Sequence, residues 1–425
     1  MTPNLTRLAA LALFAACAPA QALSLRAAAT AALHHDPRFD QSEAEIEAAR
    51  AGETVARAGS SLSLGFAADV GRSDFETDAP FPASGVRTPS SFSLAASQPL
   101  YTGGRTAALE DSARRAVEAA LEKRRDVGGK LILATLTAYL DVKRDRETLR
   151  LSTVNRETLT QARGDVDKRY QAGEATRTDL ALAEARLAEA AANVERSQAQ
   201  LRASEIALTR LLGTLPADLD APWPEFIATA TSREEAISQS HTAPGVLSAQ
   251  HSSRAAQGQI RAAAAERLPK LSLDARAGTQ DDSDFGYDRL STWAVQLKLQ
   301  VPILTGGLVN ARVREASAKA SSAQYAAADT EAYYAETAAR EWELLRASGP
   351  VIAAYQSQVR AAELALDGVG KELKVGSRTT LDLLDAERDL LSAQVNLVGA
   401  QRDRAVTAFR LLAACGKLEL ENVPD

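Results

Sequence analysis

Two acidic residues in the last part of the chain, Asp382 and Asp385, have a spacing that suits the binding of cations. Side chains three positions apart on an α-helix lie on one face, so both carboxylates would point the same way. If three copies of the chain brought these faces together, the carboxylates would form rings that attract cations, and their mutual repulsion would raise some of their pKa values. A solvated helix face is the alternative interpretation of the same spacing.

Residues of the kinds that build catalytic or metal centres do not assemble into one. No cysteine or third ligand is spaced with a histidine as metal coordination requires. The glycine pairs at 103–104 and 306–307 are not followed by the lysine of a phosphate-binding loop, so both pairs indicate turns. The sequence therefore predicts no metal, no cofactor and no enzyme. The four histidines are His34, His35, His241 and His251.

The composition favours long helices over a large aromatic core. Only 5% of the 425 residues are aromatic, whereas Ala, Leu, Arg, Glu and Gln are abundant. The formal net charge of -6 offers no basic surface for phosphates. Nucleic acid is therefore excluded as a partner.

Residues 1–22 have the pattern of a secretory signal peptide. Arg7 is followed by an apolar stretch, and Ala20-Gln21-Ala22 fits the small-x-small cleavage pattern, so the mature chain would begin at Leu23. The alternative is a lipoprotein signal in which Cys17 is acylated. The rest of the chain has no run of about 18 uncharged apolar residues that would form a transmembrane helix.

The sequence contains an internal duplication. The segment 98–105, with Pro99, Gly103 and Gly104, recurs 203 positions later at 301–308, with Pro302, Gly306 and Gly307. The segment 168–180 around Gly173 recurs with the same offset around Gly376. Two motifs that share one spacing indicate two structural repeats.

Each repeat contains two segments in which apolar and polar residues alternate, at about 61–70 and 90–100 and at about 270–279 and 291–302. The nine to eleven residues of such a segment are enough for a tilted strand to cross a bilayer, although a soluble antiparallel sheet also alternates. The connecting loops favour the membrane interpretation, because they are polar and contain the aromatic residues Phe75, Phe81, Phe285 and Tyr287. Unpaired strand edges are unfavourable in hydrocarbon, so the chain would have to oligomerise to close a barrel. Of the possible assemblies, we favour a trimer.

Long helical segments follow both glycine turns and predict two helical hairpins, at 105–213 and 308–413. In the second arm of each hairpin, leucine or valine recurs every seventh residue, with small residues between them, as is typical of coiled coils. The predicted seams are Leu180, Leu187, Val194, Leu201 and Leu208 in one half, and Leu383, Leu390, Leu397 and Leu411 in the other, where Arg404 interrupts the repeat.

With these features in order, the chain resembles the TolC-like outer membrane factor family from Leu23 to Cys415. The resemblance rests on Leu268–Leu273, the turn from Pro302 to Gly307, Tyr170–Gly173 and above all Val375–Ala386. It implies a mainly α-helical homotrimer in the outer membrane. Four strands per subunit would form a twelve-stranded β-barrel in outer-membrane lipid, and the hairpins would form a long periplasmic α-barrel.

The resemblance also implies a function and partners. Members of the family form the outer-membrane channel of tripartite export systems for type I protein secretion or multidrug efflux. They dock onto a periplasmic adaptor, or membrane fusion protein, and onto an inner-membrane ABC or proton-driven transporter. The channel is opened at its periplasmic end and catalyses nothing.

The family's motif assigns gate residues to this chain by position. Arg378 matches an arginine that holds the entrance shut through contacts to the residues matched here by Thr178 and Asp179. Asp382 and Asp385 would line the entrance as two acidic rings. The chain departs from the family pattern at Leu373, where the family has a gate tyrosine.

The predicted organisation of the chain has five parts. They are a signal peptide at 1–22, a first repeat at 23–214, an equatorial segment at 215–242, a second repeat at 243–416 and a tail at 417–425.

Two other classes of protein remain as alternatives. A soluble periplasmic coiled-coil adaptor or scaffold would share the hairpins but would not need the four strands. An outer-membrane enzyme would need a set of catalytic residues.

Overall fold

The computed structural model describes residues 23–76, 78, 85–216, 219, 222–224, 230–282 and 288–424. The signal peptide with Cys17, parts of the equatorial segment and the loop residues Phe81, Phe285 and Tyr287 lie outside these ranges. The chain divides into two compact units. Unit 1 contains residues 1–40, 126–243 and 333–425, and unit 2 contains residues 41–125 and 244–332.

Eight α-helices and six β-strands are formed by the described residues. The helices are α1 Leu25–His35, α2 Pro37–Ala58, α3 Arg105–Gln171, α4 Arg177–Leu212, α5 Arg233–Ser240, α6 Pro244–Ala264, α7 Leu308–Lys374 and α8 Thr380–Ala414. The strands are β1 Ser63–Val70, β2 Ser73–Phe75, β3 Gly85–Arg87, β4 Ser90–Tyr101, β5 Lys270–Asp281 and β6 Arg289–Gln300. Short 3₁₀ helices occur at Ala265–Arg267 and Leu420–Asn422.

Unit 2 is built on an antiparallel sheet with the strand order β1-β4-β5-β6. The β4–β5 pair joins the two sequence repeats, and β1 and β6 are the outer strands of the described sheet. Alternate apolar side chains are strongly exposed, including Phe66 at 69% and Trp293 at 82%. The small antiparallel pair of β2 and β3 was not predicted, and both strands lie between β1 and β4 in the sequence.

The second strands of the two repeats end differently, although both segments have a proline at the equivalent position. β4 continues through Pro99 with a register shift between Pro99 and Tyr101, which is a β-bulge. Pro99, which was predicted both within the strand at about 90–100 and as part of the strand-to-helix turn, therefore lies in the strand and not in the turn. In the second repeat the strand ends at Gln300, two residues before Pro302, which has no N–H to donate to a ladder. β6 consequently occupies 289–300 instead of the predicted 291–302.

The turns that lead from strand to helix are equivalent in the two repeats. The N–H of Arg105 donates to the carbonyl of Thr102 at 3.2 Å, and the N–H of Leu308 donates to the carbonyl of Thr305 at 3.1 Å. The glycines of both turns have positive φ, a conformation that side chains with a Cβ adopt at a cost. Their φ angles are 66° and 80° for Gly103 and Gly104, and 56° and 82° for Gly306 and Gly307.

The main apolar core lies in unit 1, where α1, α3, α4 and α8 pack with the C-terminal segment. Tyr139 and Phe409 are fully buried in it. The hydroxyl of Tyr139 donates to the carbonyl of Leu23 at 2.8 Å, and the guanidinium of Arg26 donates to the carbonyl of Val423 at 2.9 Å. Both ends of the described chain are therefore attached to this core. No described helix is both long and apolar enough to cross a bilayer.

The predicted coiled-coil seams are partly buried in both helices. Val194 and Leu208 of the first seam and Leu411 of the second are buried. The other seam leucines are half-buried, namely Leu180, Leu187 and Leu201 in α4 and Leu383, Leu390 and Leu397 in α8. In α8 the neighbouring positions Leu384, Val398, Ala405 and Leu412 are also buried. Leucines occupy adjacent positions in this helix, as at 383–384, 390–391 and 411–412, so composition alone does not distinguish two neighbouring heptad positions.

Candidate functional site

The candidate site comprises the two turns that close the helical hairpins of unit 1. Gly173 and Gly376 both adopt φ 79°, which ends the first arm of each hairpin in a left-handed conformation. The N–H of Glu174 donates to the carbonyl of Arg169 at 2.8 Å, and in the second hairpin the N–H of Ser377 donates to the carbonyl of Glu372 at 3.0 Å. The duplication thus extends to individual hydrogen bonds.

A threonine–aspartate capping box starts the second arm of each hairpin. In α4, the hydroxyl of Thr176 accepts from the N–H of Asp179 at 3.1 Å, while the N–H of Thr176 donates to the Asp179 carboxylate at 2.8 Å. In α8, Thr379 and Asp382 make the same bonds at 3.2 and 2.9 Å. The capping residues Thr176 and Thr379 were not predicted from the sequence.

These bonds affect the ionisation of both aspartates. The backbone and hydroxyl of Thr176 donate to Asp179 and lower the pKa of its carboxyl group. The backbone and hydroxyl of Thr379 lower the pKa of Asp382 in the same way, with a smaller contribution from Arg378. Within one chain both groups are therefore carboxylates at neutral pH.

The structure places Arg378 next to acidic groups of its own hairpin. Its Nε lies 2.9 Å from a carboxylate oxygen of Glu372, and its Nη1 lies 4.0 Å from Asp382. The Glu372 carboxylate raises the pKa of the guanidinium, which stays charged. Within a single chain the arginine is thus brought to Glu372 and Asp382, and not to Thr178 or Asp179.

Arg378, Asp382, Asp385 and Asp389 line one side of a groove of about 610 Å³ between α7 and α8. The other side is formed by small residues of α7 such as Ala361 and Ala365. The predicted acidic pair therefore lies on a single face of α8, as the spacing of three requires.

Asp385 has a partner that the sequence did not reveal. Its Oδ1 lies 3.0 Å from Nη2 of Arg186 on α4 and 3.6 Å from Arg388 one turn along α8. Arg186 and Asp385 are separated by 199 positions, so no local pattern indicates the contact. Leu373 is the last residue but one of α7 and corresponds to Tyr170 in the first hairpin, and its carbonyl accepts the N–H of Gly376 at 3.1 Å.

Comparison with known proteins identifies the family. The model of the outer membrane efflux protein family matches residues 28–214 and 238–417, which includes both repeats and both hairpin turns. The chain belongs to the outer membrane efflux protein family. Within the described residues of this outer membrane efflux protein, no group of three or more His, Cys, Asp or Glu could hold a metal ion.

Individual relatives agree with this assignment. The outer membrane efflux protein BepC of Brucella suis is 29% identical over 80% of this chain and 75% of its own length. The alkaline protease secretion protein AprF of Pseudomonas aeruginosa is 26% identical over 91% of this chain and 83% of its own length. The outer membrane protein TolC of Escherichia coli is 26% identical over 69% of this chain and 62% of its own length.

Solved structures have the same fold. A membrane protein from Pseudomonas aeruginosa superposes with a TM-score of 0.83 at 25% identity, covering 92% of this chain and 90% of that one. The outer membrane protein VceC of Vibrio cholerae superposes with a TM-score of 0.80 at 23% identity, covering 92% of this chain and 96% of that one. The mainly helical fold with a β part and the outer-membrane location predicted from the sequence are confirmed.

Proposed function

We propose that this outer membrane efflux protein is the passive exit duct of a tripartite export system and acts as a homotrimer. The observation that carries the proposal is the four-stranded sheet, whose outer strands β1 and β6 lack a partner in the described chain while its apolar side chains are exposed. A sheet with open edges is unstable in hydrocarbon, where each unpaired backbone group costs several kcal/mol. Three copies would close a barrel of twelve strands, which is wide enough for a pore.

The partners follow from the family. An inner-membrane ABC or proton-driven transporter supplies the energy, and a periplasmic adaptor joins it to the hairpin ends of the duct. BepC is named for efflux and AprF for protease secretion, so the proposal covers both small molecules and proteins as cargo. The protein itself has no catalytic role.

In this function the hairpin turns form the periplasmic entrance. Arg378 does not reach Thr178 or Asp179 within one chain, and we propose that it contacts them in the assembled entrance, where an arginine–carboxylate pair is directional but weak enough for a partner to break. Asp382 and Asp385 face the passage and give it a preference for cations. The lowered pKa of Asp382 supports a charged ring at neutral pH.

Conductance of the purified full-length protein in planar bilayers tests this function. We expect the detergent-solubilised protein to have the mass of a trimer and to insert as a channel. Multivalent cations added on the side of the hairpin turns should block it, and the double variant Asp382→Asn with Asp385→Asn should lose the block. A monomer that forms no channel, or a native protein that salt alone extracts from membranes, would favour the periplasmic scaffold instead.

A further inference from the structure

The pairing of the four-stranded sheet in unit 2 separates its side chains into two faces. One row across the strands is entirely apolar and consists of Phe66, Leu94, Ala277 and Trp293. Side chains in one row point to the same face, and every second residue of a strand belongs to that face. Trp293 and Val295 on this apolar face are 82% and 60% exposed. In the proposed barrel the apolar face meets lipid, so the opposite face, here named the passage face, lines the export passage.

The passage face carries one arginine among small side chains. The row that contains Arg276 is completed by three of the smallest residues, namely Gly65, Ala95 and Ala294. An adjacent row has no side chain larger than threonine and consists of Ala67, Ser93, Gly278 and Thr292. Arg276 is exposed. Neighbours of this size leave room for its side chain to extend into the passage.

The nearest acidic residue of the passage face does not neutralise Arg276. Asp274 is two positions away, about 7 Å along the strand. Its carboxylate accepts from the hydroxyl of Ser97 at 2.6 Å and from that of Ser272 at 3.1 Å. Lys298 lies opposite Ser272, so it is a diagonal neighbour of Asp274 and compensates its charge. Arg276 forms no ion pair with any residue that the structure describes.

The charges of the whole passage face are consistent with this. Within the described strands they belong to Asp69, Lys270, Asp274, Arg276 and Lys298, so each chain has more positive than negative groups on this face. Asp69 accepts from the hydroxyl of Ser91 at 3.3 Å and is on β1, two strands away from Arg276. The guanidinium of Arg276 therefore remains available to a ligand in the passage.

We propose that Arg276 is an anion-binding residue of the passage, and that its three copies in the trimer form a ring that binds oxyanions with several negative charges. The proposal rests on the function proposed above, because three chains must close the barrel. Each guanidinium has five N–H donors in a planar fork that matches phosphate and carboxylate groups. Rings of arginine in a pore select anions. The barrel thus favours anionic groups, whereas the acidic entrance attracts cations.

Block of the full-length channel by inorganic triphosphate in planar bilayers tests the ring. We expect triphosphate, added on the side opposite the hairpin turns, to reduce the wild-type conductance. Arg276→Gln should raise the concentration for half-block by about tenfold or more, because the charged donors of all three subunits are lost. Arg276→Lys should retain most of the block, since it keeps the charge. Block by multivalent cations from the other side should be unchanged in both variants.

Arg289→Gln is the matched control. Arg289 belongs to the same sheet, but it lies on the apolar face and its Nε is 2.7 Å from a carboxylate oxygen of Asp281. Its concentration for half-block should equal that of the wild type. A wild-type protein that forms no channel would contradict the proposed function. The ring alone would be overturned by a conducting wild type that triphosphate does not block, by wild-type block in Arg276→Gln, or by an equal loss of block in Arg289→Gln.

Discussion

Gly103 lies so close to Leu268 that a Cβ placed on the glycine would come within 2.7 Å of the leucine Cβ. Gly306 occupies the equivalent turn of the second repeat, where a Cβ would meet nothing within 4 Å. The two glycines have similar left-handed φ angles, 66° and 56°. The duplication has therefore preserved the backbone of the turn, while the packing around it differs between the repeats.

This difference predicts unequal effects of the same substitution. Gly103→Ala and Gly306→Ala both introduce a Cβ at positive φ, which costs roughly 1–2 kcal/mol. Only Gly103→Ala also forces Leu268 and the carbonyl of Ala265 to move, which adds about 1–3 kcal/mol. Thermal unfolding in detergent should show the lower midpoint for Gly103→Ala. Equal midpoints would show that the turn of the first repeat adjusts without strain.

The capping boxes predict a local dependence on pH. The pKa values of Asp179 and Asp382 are lowered from 3.8 by their threonine partners, so these carboxylates stabilise the folded turns above pH 3.8. The stabilisation is lost as the pH falls through the lowered values. Protection from hydrogen exchange should then decrease in the first turns of α4 and α8 more than in the middle of either helix.

Thr176→Val provides the comparison at neutral pH. It removes the hydroxyl that accepts the Asp179 N–H and should reduce protection in the first turn of α4, at a cost of about 0.5–2 kcal/mol. The intact cap of α8 serves as the reference within the same molecule. Unchanged protection in α4 would mean that packing, and not the cap, determines where this helix begins.

The proposed contact between Arg378 and Asp179 predicts a change in gating. Arg378→Ala and Asp179→Ala should each increase single-channel conductance, because either removes one partner of a pair that holds the entrance closed. Asp179→Ala also weakens the helix cap, and Thr176→Val controls for that effect because it retains the carboxylate. Wild-type conductance in both alanine variants would exclude Arg378 and Asp179 from the gate.

Periodicity and duplication predicted the main elements because both depend on local sequence. The alternation of apolar residues predicted the four long strands. The offset of 203 positions predicted pairs of equivalent turns, and the structure shows equivalent hydrogen bonds in them. Leucines occupy adjacent positions in α8, such as 383 and 384, so the sequence does not determine which of the two is buried. The Arg186–Asp385 contact could not be predicted, since it depends on how one hairpin lies against the other.

The main core also has a consequence for biogenesis. Leu25, near the start of the described chain, and Val423, near its end, belong to the same buried cluster. Residues so distant in sequence meet only after nearly the whole polypeptide has been synthesised and translocated, and contacts of this range form slowly. Until α8 and the C-terminal segment arrive, part of the apolar surface of α1, α3 and α4 remains uncovered, so we expect the unfinished core to be prone to aggregation.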